Sequence, residues 1–351
     1  MLNRKYLLPK DGNFYKANLH SHSTFSDGKL TPEEMKNAYI ERGYSIIAYT
    51  DHNIFVSHND LTDDKFLAIN GMEIDFYECW NHDYTPTGKD WRSCKGCHLN
   101  FLALNPDIIY QPCFNKNTNR IIGEGKKYSH LIKYDESKPP YEKVYTYKGV
   151  TKTIKEALDC GFYVIYNHPA WSLEDYNDYT NFKGFHAMEI WNSGSMVGGY
   201  DDYNPKIYDD LLRTGRKVFC VGADDNHNHH PFSSRQNDSF GAFTMIKADK
   251  LEYTKITDAL LKGDFYASQG PEIYELYYED NKIYVKCSNA DRIIISTGRR
   301  RVECVYDEIG NGITEATFNI HPDDVYVRIT VEDKCGKRAH TNAYFIEDIM
   351  K

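Results

Sequence analysis

Short apolar runs alternate with helical stretches along the first 270 residues, and this alternation limits the possible folds more than any other feature. The apolar runs lie at residues 17–20, 45–50, 66–69, 98–104, 162–166, 187–191, 218–221 and 242–246. Helical stretches lie near residues 151–159, 204–214 and 254–262. Strands that alternate with helices are typical of a parallel sheet or a (β/α) barrel. The sequence therefore predicts an α/β fold.

The first strand–helix–strand unit carries clear local signals. Thr31 can cap a helix, Pro32 suits the first helical position, and Glu34 completes a capping box. Gly43 supplies a stop before the buried strand at residues 45–50. We therefore expect a helix that begins after Thr31 and ends before Gly43.

The sequence changes character after residue 270. Short alternating or β-branched runs, separated by turn residues, lie at 275–279, 282–287, 292–297, 316–320 and 325–332. This pattern predicts a small antiparallel, sandwich-like β-domain over residues 271–351, appended to a larger domain over residues 1–270. Within the larger domain, the Tyr- and Lys-rich stretch at 105–150 is interpreted as an insertion.

Composition and charge exclude several classes of partner. The 42 basic and 51 acidic residues give a net charge of -9 without a basic run, which argues against a long nucleic-acid duplex. No stretch approaches a membrane span, and residues 1–16 offer no signal-peptide core. Nine scattered cysteines favour reduced thiols over a disulfide framework. These features predict a cytoplasmic protein without a membrane partner.

Histidines and carboxylates follow the ends of the predicted strands. They are His20, His22, Asp27, His52, Glu73, His98, His168, Asp225 and His227. Alternate residues of a strand point to one face, so His20 and His22 can present two imidazoles to one ion. Residues that follow parallel strands converge on one mouth of a barrel, where gathered neutral imidazoles need partners. The pattern therefore predicts a metal site with nitrogen and oxygen ligands.

Five segments of the chain also carry a family resemblance. They are Asn18–Gly28, Thr50–Asn53, Gly71–Ile74, Asn167–Pro169 and Gly222–His227. In these segments the chain resembles the PHP (polymerase and histidinol phosphatase) family of metal-dependent phosphoesterases, over about residues 14–270. The resemblance implies a distorted, seven-stranded, TIM-like (β/α) barrel with two to three divalent metal ions, which can be zinc, manganese, iron or magnesium.

The resemblance further implies how the ligands divide among three metals. The groups are His20, His22, Glu73 and Asp225 for a first metal, Glu73 again with His98 and His168 for a second, and Asp27, His52 and His227 for a third. Asp224 stands beside Asp225 as an alternative, and the Asp-x-His spacing of the family favours Asp225.

The long interval between Glu73 and His98 contains cysteines that open other interpretations. The segment from Cys94 through Cys97 to His98 matches the Cys-x-x-Cys-His pattern of c-type haem attachment. Cys79 together with Cys94 and Cys97 offers a structural zinc site instead. Unpaired thiols are the simplest interpretation, and we expect them here.

A few further residues are candidates for the mouth of the site. Arg235 can bind a substrate phosphate, because a guanidinium matches phosphate oxygens bidentately, although a surface position explains it as well. His229, His230 and Asn192 can face the site or lie in solvated loops.

The predicted activity is metal-dependent hydrolysis of a small anionic phosphate ester, either a phosphomonoester or a nucleotide-type ester. The expected nucleophile is a hydroxide that bridges two metals, and the sequence identifies no general acid. Two other functions stay open: an amidohydrolase-like hydrolase of C–N or C–O bonds, and a binding or regulatory module that keeps its metals for structure. We expect selectivity to reside in the insertion, and oligomer formation to be possible through the C-terminal domain.

Overall fold

A computed structural model describes residues 4–79 and 90–351. Over these residues the chain forms eighteen β-strands and seven α-helices, numbered here in chain order. The strands are β1 (Lys5–Tyr6), β2 (Asn13–Asn18), β3 (Ile46–Tyr49), β4 (Leu67–Tyr77), β5 (Gly96–Ala103), β6 (Phe162–Tyr166), β7 (Ala187–Asn192), β8 (Phe219–Ala223), β9 (Phe243–Ala248), β10 (Phe265–Ser268), β11 (Ile273–Glu279), β12 (Lys282–Ala290), β13 (Arg292–Thr297), β14 (Val302–Tyr306), β15 (Ile313–Asn319), β16 (Tyr326–Glu332), β17 (Arg338–Thr341) and β18 (Tyr344–Phe345). The helices are α1 (Pro32–Ile40), α2 (Tyr147–Asp159), α3 (Tyr176–Tyr179), α4 (Ser193–Val197), α5 (Pro205–Arg213), α6 (Tyr253–Lys262) and α7 (Ile346–Ile349).

One large sheet carries most of these strands. Its order is β14-β13-β16-β17-β10-β9-β2-β3-β4-β5-β6-β7-β8, with β18 beside β16. The strands β2, β3 and β4 are parallel, as are β6, β7 and β8. The α/β prediction is confirmed.

Two of the predicted strands run antiparallel to their neighbours in this sheet. β5 is antiparallel to both β4 and β6, and β9 is antiparallel to β2. Parallel neighbours need a long crossover, usually a helix, whereas antiparallel neighbours do not. No α-helix lies in the described part of the β4–β5 connection or between β8 and β9. The hydroxyl of Thr244 on β9 donates to the carbonyl of Gly222 on β8 at 3.0 Å. Closure of the sheet into a barrel stays a prediction.

The helix signals in the sequence are confirmed. The Thr31 hydroxyl accepts from the Glu34 backbone N–H at 3.2 Å, and the Glu34 carboxylate accepts from the Thr31 N–H at 2.8 Å, so α1 begins with a capping box. α2 begins at Tyr147, ahead of the predicted residue 151, because Thr146 caps it by accepting from the Gly149 N–H at 3.0 Å. None of the helices in the described ranges has the length and apolarity needed to cross a bilayer.

The C-terminal strands are antiparallel, as predicted, and five of them, β13, β14, β16, β17 and β18, continue the large sheet. β17 pairs with β10, while β1, β11, β12 and β15 form a second sheet of four strands. Asn342, which follows β17, donates to the carbonyl of Phe265 at 3.0 Å and accepts from the Cys220 N–H at 2.9 Å. Sheet pairing therefore crosses the predicted boundary at residue 270, and the division into two domains stays a prediction.

The insertion at residues 105–150 is anchored beside the strands that hold the site. The ammonium of Lys143 is buried, 3.1 Å from an oxygen of Asp75 on β4 and 2.8 Å from the side-chain oxygen of Asn53. Asn53 follows His52 directly in the chain. A buried ion pair thus fixes the insertion against the loop that carries a predicted metal ligand.

Candidate metal centre

The segments that follow β2 and β8 pair with each other and bring three predicted ligands together. The Asp225 N–H donates to the His20 carbonyl at 3.0 Å, and the His22 N–H donates to the Asn226 carbonyl at 3.0 Å. As a result, one oxygen of Asp225 lies 3.0 Å from Nε2 of His22 and 3.2 Å from Nε2 of His20.

Glu73 lies at the centre of the cluster. β4 continues beyond Glu73, so Glu73 lies inside a strand. The sequence had suggested a position after the end of a strand. Oε1 of Glu73 lies 3.0 Å from Nδ1 of His98, 3.2 Å from Nε2 of His168 and 3.3 Å from Nε2 of His20. Its Oε2 lies 2.8 Å from Nδ1 of His52. Nε2 of His22 lies 3.5 Å from the same Oε2, so one buried carboxylate faces five imidazoles.

Asp27 and three imidazoles form the outer part of the cluster. The Oδ1 atom of Asp27 lies 3.7 Å from Nε2 of His52 and 3.6 Å from Nε2 of His227. The ring of His22 stacks on both of these histidines, with centroids 4.1 Å from His52 and 4.2 Å from His227. This part of the cluster opens toward solvent, since Asp27 and His227 are only partly buried.

All nine predicted ligands lie in groups of metal-binding size. Their donor atoms fall within 4.8 Å of one another in four sets: His22, Asp27, His52 and His227; His20, His22 and Glu73; His20, His168 and Asp225; and His52, Glu73 and His98. His52 and His22 each belong to two sets, so the geometry does not divide the ligands as the resemblance implied. The assignment of each ligand to a particular metal stays a prediction.

Asp224 and Asp225 have different surroundings. The buried carboxylate of Asp224 accepts from the backbone N–H groups of Phe240 and Gly241 at 2.8 and 2.9 Å and from the hydroxyl of Tyr39 at 2.8 Å. Burial raises its pKa to about 6. Asp224 thus holds the loop in place, and the geometry favours Asp225 as the ligand.

Buried charges in the cluster shift pKa values in opposite directions. Burial lowers the pKa of His20, but the carboxylates of Asp225 and Glu73 outweigh it and raise that pKa well above its usual range. Burial also lowers the pKa of His52, but the Glu73 carboxylate outweighs it and raises that pKa to about 10. For His22, burial and the neighbouring His52 lower the pKa to about 3. The carboxylates thus favour positive charge at the centre, which divalent ions supply.

Three buried donor atoms provide a test of whether metals fit. Nδ1 of His52 and Oε2 of Glu73 lie 2.8 Å apart but outside hydrogen-bonding geometry, and Oδ1 of Asp27 makes no hydrogen bond to a described residue. Buried polar atoms without a partner are rare because they are costly. Imidazole nitrogen and carboxylate oxygen are the donors that zinc, iron and manganese accept. The donor set therefore fits divalent metal ions.

Sequence reasoning missed one residue that supports the cluster. Glu189 on β7 is fully buried, and its carboxylate accepts from Nδ1 of His20 at 2.7 Å and from the His168 backbone N–H at 2.9 Å. Asn192, a candidate for the mouth, is also buried and donates to Glu189 at 2.8 Å and to Asp225 at 3.2 Å. The only sequence signal for Glu189 is a carboxylate within an apolar run.

The cysteines do not form a cofactor site. Cys79 and Cys94 form a disulfide, so the expectation of unpaired thiols is wrong for this pair. Cys97 is a free thiol in a different apolar cluster, beside Phe101. His98 points at Glu73 instead. The haem and structural-zinc interpretations of this segment are therefore both wrong.

A cavity of about 400 Å³ lies over the cluster. Besides seven of the nine candidate ligands, its lining includes Asp75, Tyr77, Arg120, Ile122, Trp171, Gly194, Ser195, Gly198, Tyr200, His229 and Asp238. Arg235 and His230 are exposed and are not among these residues. The geometry thus brings Arg120, which sequence reasoning missed, to the cavity in place of Arg235.

Comparison with known proteins gives a family match. The model of the PHP domain family matches residues 18–220, which is more than half of the chain. The chain is 43% identical over 88 residues to the DNA polymerase/3'-5' exonuclease PolX of Bacillus subtilis. That match covers 25% of this chain and 14% of the polymerase, so most of the polymerase has no counterpart in the match.

Two solved structures are similar at low identity. One is a two-domain protein from Bacteroides vulgatus that contains a predicted PHP-like metal-dependent phosphoesterase, with a TM-score of 0.41, 14% identity and coverage of 94% of each chain. The other is the lesion-specific endonuclease PfuEndoQ of Pyrococcus furiosus, with a TM-score of 0.39, 11% identity and coverage of 71% of this chain and 56% of that one.

Proposed function

Because this chain belongs to the PHP domain family, we propose that it hydrolyses small phosphate esters, either phosphomonoesters or nucleotides, at the cluster of nine histidine and carboxylate side chains. The observation that carries the proposal is the convergence of these nine side chains, whose donor atoms lie within 4.8 Å of one another in four groups. Hydrolysis dependent on metal ions is the chemistry that such a donor set supports.

Two or three divalent ions, held by the nine ligands, would polarise the phosphoryl oxygens and lower the pKa of the attacking water. The chain itself orients the ligands. Glu189 accepts from Nδ1 of His20, which directs Nε2 toward the cluster. The Tyr77 hydroxyl lies 3.0 Å from Nε2 of His98, which directs Nδ1 toward Glu73. Such outer contacts fix the tautomer and the orientation of a ligating imidazole.

The cavity supports a small substrate. Its volume of about 400 Å³ suits a small organic ester. Seven of the nine candidate ligands line this cavity, so a phosphoryl group bound beside them would leave the rest of the space for the leaving group.

The proposal is tested by metal content and turnover measured together. Purified protein is analysed for bound metals and assayed with p-nitrophenyl phosphate, with and without chelator. His20→Ala is compared with His130→Ala, a matched control because His130 is exposed and outside the cavity lining. We expect two to three ions per chain and chelator-sensitive turnover in the wild type and the control, and loss of both in His20→Ala.

Other results would point elsewhere. Stoichiometric metal with turnover of amides or lactones, but not of phosphate esters, would indicate a C–N or C–O hydrolase. Stoichiometric metal without any turnover would indicate a binding or regulatory module. Absence of metal after reconstitution with zinc, manganese and iron would refute the metal centre itself.

A further inference from the structure

The cavity over the cluster has a wall of aromatic side chains that play no part in ligating metals. Tyr77, Trp171 and Tyr200 line it, together with Ile122 and the guanidinium of Arg120. Hydrolysis of a phosphate ester does not by itself require an aromatic wall. These side chains therefore bear on which leaving group the cavity accepts.

The wall begins at the ligands and extends outward. The ring of Trp171 has its centroid 4.9 Å from that of His98 and 5.0 Å from that of His168. The centroid of the Tyr200 ring lies 6.5 Å from that of Trp171, and Tyr200 is 43% exposed. A group attached to a phosphate at the cluster would thus meet indole first and phenol next.

The position of Trp171 is fixed by the surrounding structure. The buried carboxylate of Asp202 accepts from the backbone N–H groups of Ala170 and Trp171, each at 2.9 Å. The ring packs against the apolar cluster of Cys79 and Cys94. A wall that is ordered before binding loses little entropy when a ligand stacks on it.

Arg120 brings a cation to the same cavity from the insertion. Its Nη1 atom lies 3.9 Å from Oδ2 of Asp75, and its side chain is 39% exposed. A planar guanidinium can bind phosphate oxygens or stack on a flat ring. The insertion therefore supplies a group suited to a ligand that is both anionic and aromatic.

We infer that the leaving group is a nucleoside, so that the substrates are nucleoside monophosphates. This inference rests on the proposed function. The phosphate lies at the cluster and the base stacks on Trp171 and Tyr200. The oxygen of a water molecule bonds to phosphorus, the phosphorus–oxygen ester bond breaks, and the nucleoside oxygen takes up one proton of that water, which yields a nucleoside and inorganic phosphate.

The test compares two phosphomonoesters that differ in the aromatic group. For the wild type we expect kcat/KM to be about 10- to 100-fold higher for AMP than for glycerol 3-phosphate, because base–aromatic stacking has this magnitude. Trp171→Ala and Tyr200→Ala should each lower that ratio about tenfold, mainly through KM for AMP, and Trp171→Phe should restore most of it. Tyr176→Ala is the matched control, since Tyr176 is 54% exposed and does not line the cavity.

The outcomes separate this inference from the proposed function. Equal kcat/KM for the two esters, or a ratio unchanged in both alanine variants, overturns the nucleoside assignment while hydrolysis itself stands. If neither ester is hydrolysed, the proposed function fails, and calorimetry with adenosine alone decides on the aromatic site. Adenosine binding that weakens in Trp171→Ala but not in Tyr176→Ala supports the site, and absence of binding overturns it.

Discussion

Asp209→Asn removes the counter-charge of a buried arginine that joins α5 to β16. In the native protein, Nε and Nη2 of Arg328 each lie 2.9 Å from one oxygen of Asp209, and the Tyr326 hydroxyl donates to the same carboxylate at 3.0 Å. The side chains of Arg328 and Asp209 are 6% and 14% exposed. The pair is therefore bidentate and largely shielded from solvent.

The expected loss follows from this geometry. Unit charges about 4 Å apart at an effective dielectric constant of about 20 attract by about 4 kcal/mol. Removal of one partner from a buried pair typically costs about 3–5 kcal/mol, because the remaining charge stays buried without compensation. We expect Asp209→Asn to lower the free energy of unfolding by about 3–5 kcal/mol. The double variant Asp209→Leu/Arg328→Met should recover most of this loss.

Urea unfolding followed by circular dichroism measures the effect. Asp159→Asn is the matched control, because Asp159 also lies on a helix and pairs with Lys155, but both side chains are more than half exposed. That pair should contribute at most about 0.5 kcal/mol. A loss for Asp209→Asn no larger than for the control would refute the reasoning. Two separate transitions would show that unfolding is not two-state, and the free energy of unfolding would then be compared for each transition.

Three further predictions concern other parts of the molecule. Glu189→Gln should weaken metal binding about 10- to 100-fold, because this carboxylate orients His20 without being a ligand itself. Competition with a chelating dye measures the affinity, and an unchanged affinity would count against that role. Burial lowers the pKa of His58 to about 4, so near pH 5 the unfolded chain binds a proton that the folded chain does not. The free energy of unfolding should therefore fall by about 2 kcal/mol as the pH is lowered from 7 to 5. His58→Phe should remove that share of the pH dependence, and a profile identical to the wild type would contradict the prediction. Thr31→Ala should cost about 1 kcal/mol in chemical denaturation through loss of the α1 cap, with no change in metal content.

The cluster of candidate metal ligands could be predicted because its sequence signals are local. His20 and His22 follow a recognisable apolar strand, and the segments around them match a family pattern. The neighbouring Asp224 and Asp225 could not be separated from the sequence, since their roles depend on which backbone N–H groups surround each carboxylate. Glu189 was missed because a single carboxylate in an apolar strand gives no sign of the side chain it meets.

The other residues that line the cavity were harder to predict than the candidate ligands. Arg120 lies in a long insertion without periodicity, so its approach to the cavity depends on contacts such as Lys143 with Asp75. Arg235 was chosen for its chemistry, yet it lies exposed and apart from the cavity lining. The antiparallel direction of β5 could not be predicted either, because an apolar run has the same sequence pattern in a parallel and in an antiparallel strand.

The pairing of β17 with β10 bears on how the chain can be shortened. A fragment that ends near residue 270 would keep β10 but lose its outer neighbour, leaving a row of unpaired N–H and C=O groups beside a buried strand. The Cys220 N–H and the Phe265 carbonyl would also lose their hydrogen bonds to Asn342. Exposed strand edges template self-association. A fragment cut at that position should therefore aggregate although it retains every metal ligand, and soluble fragments should require residues 338–342.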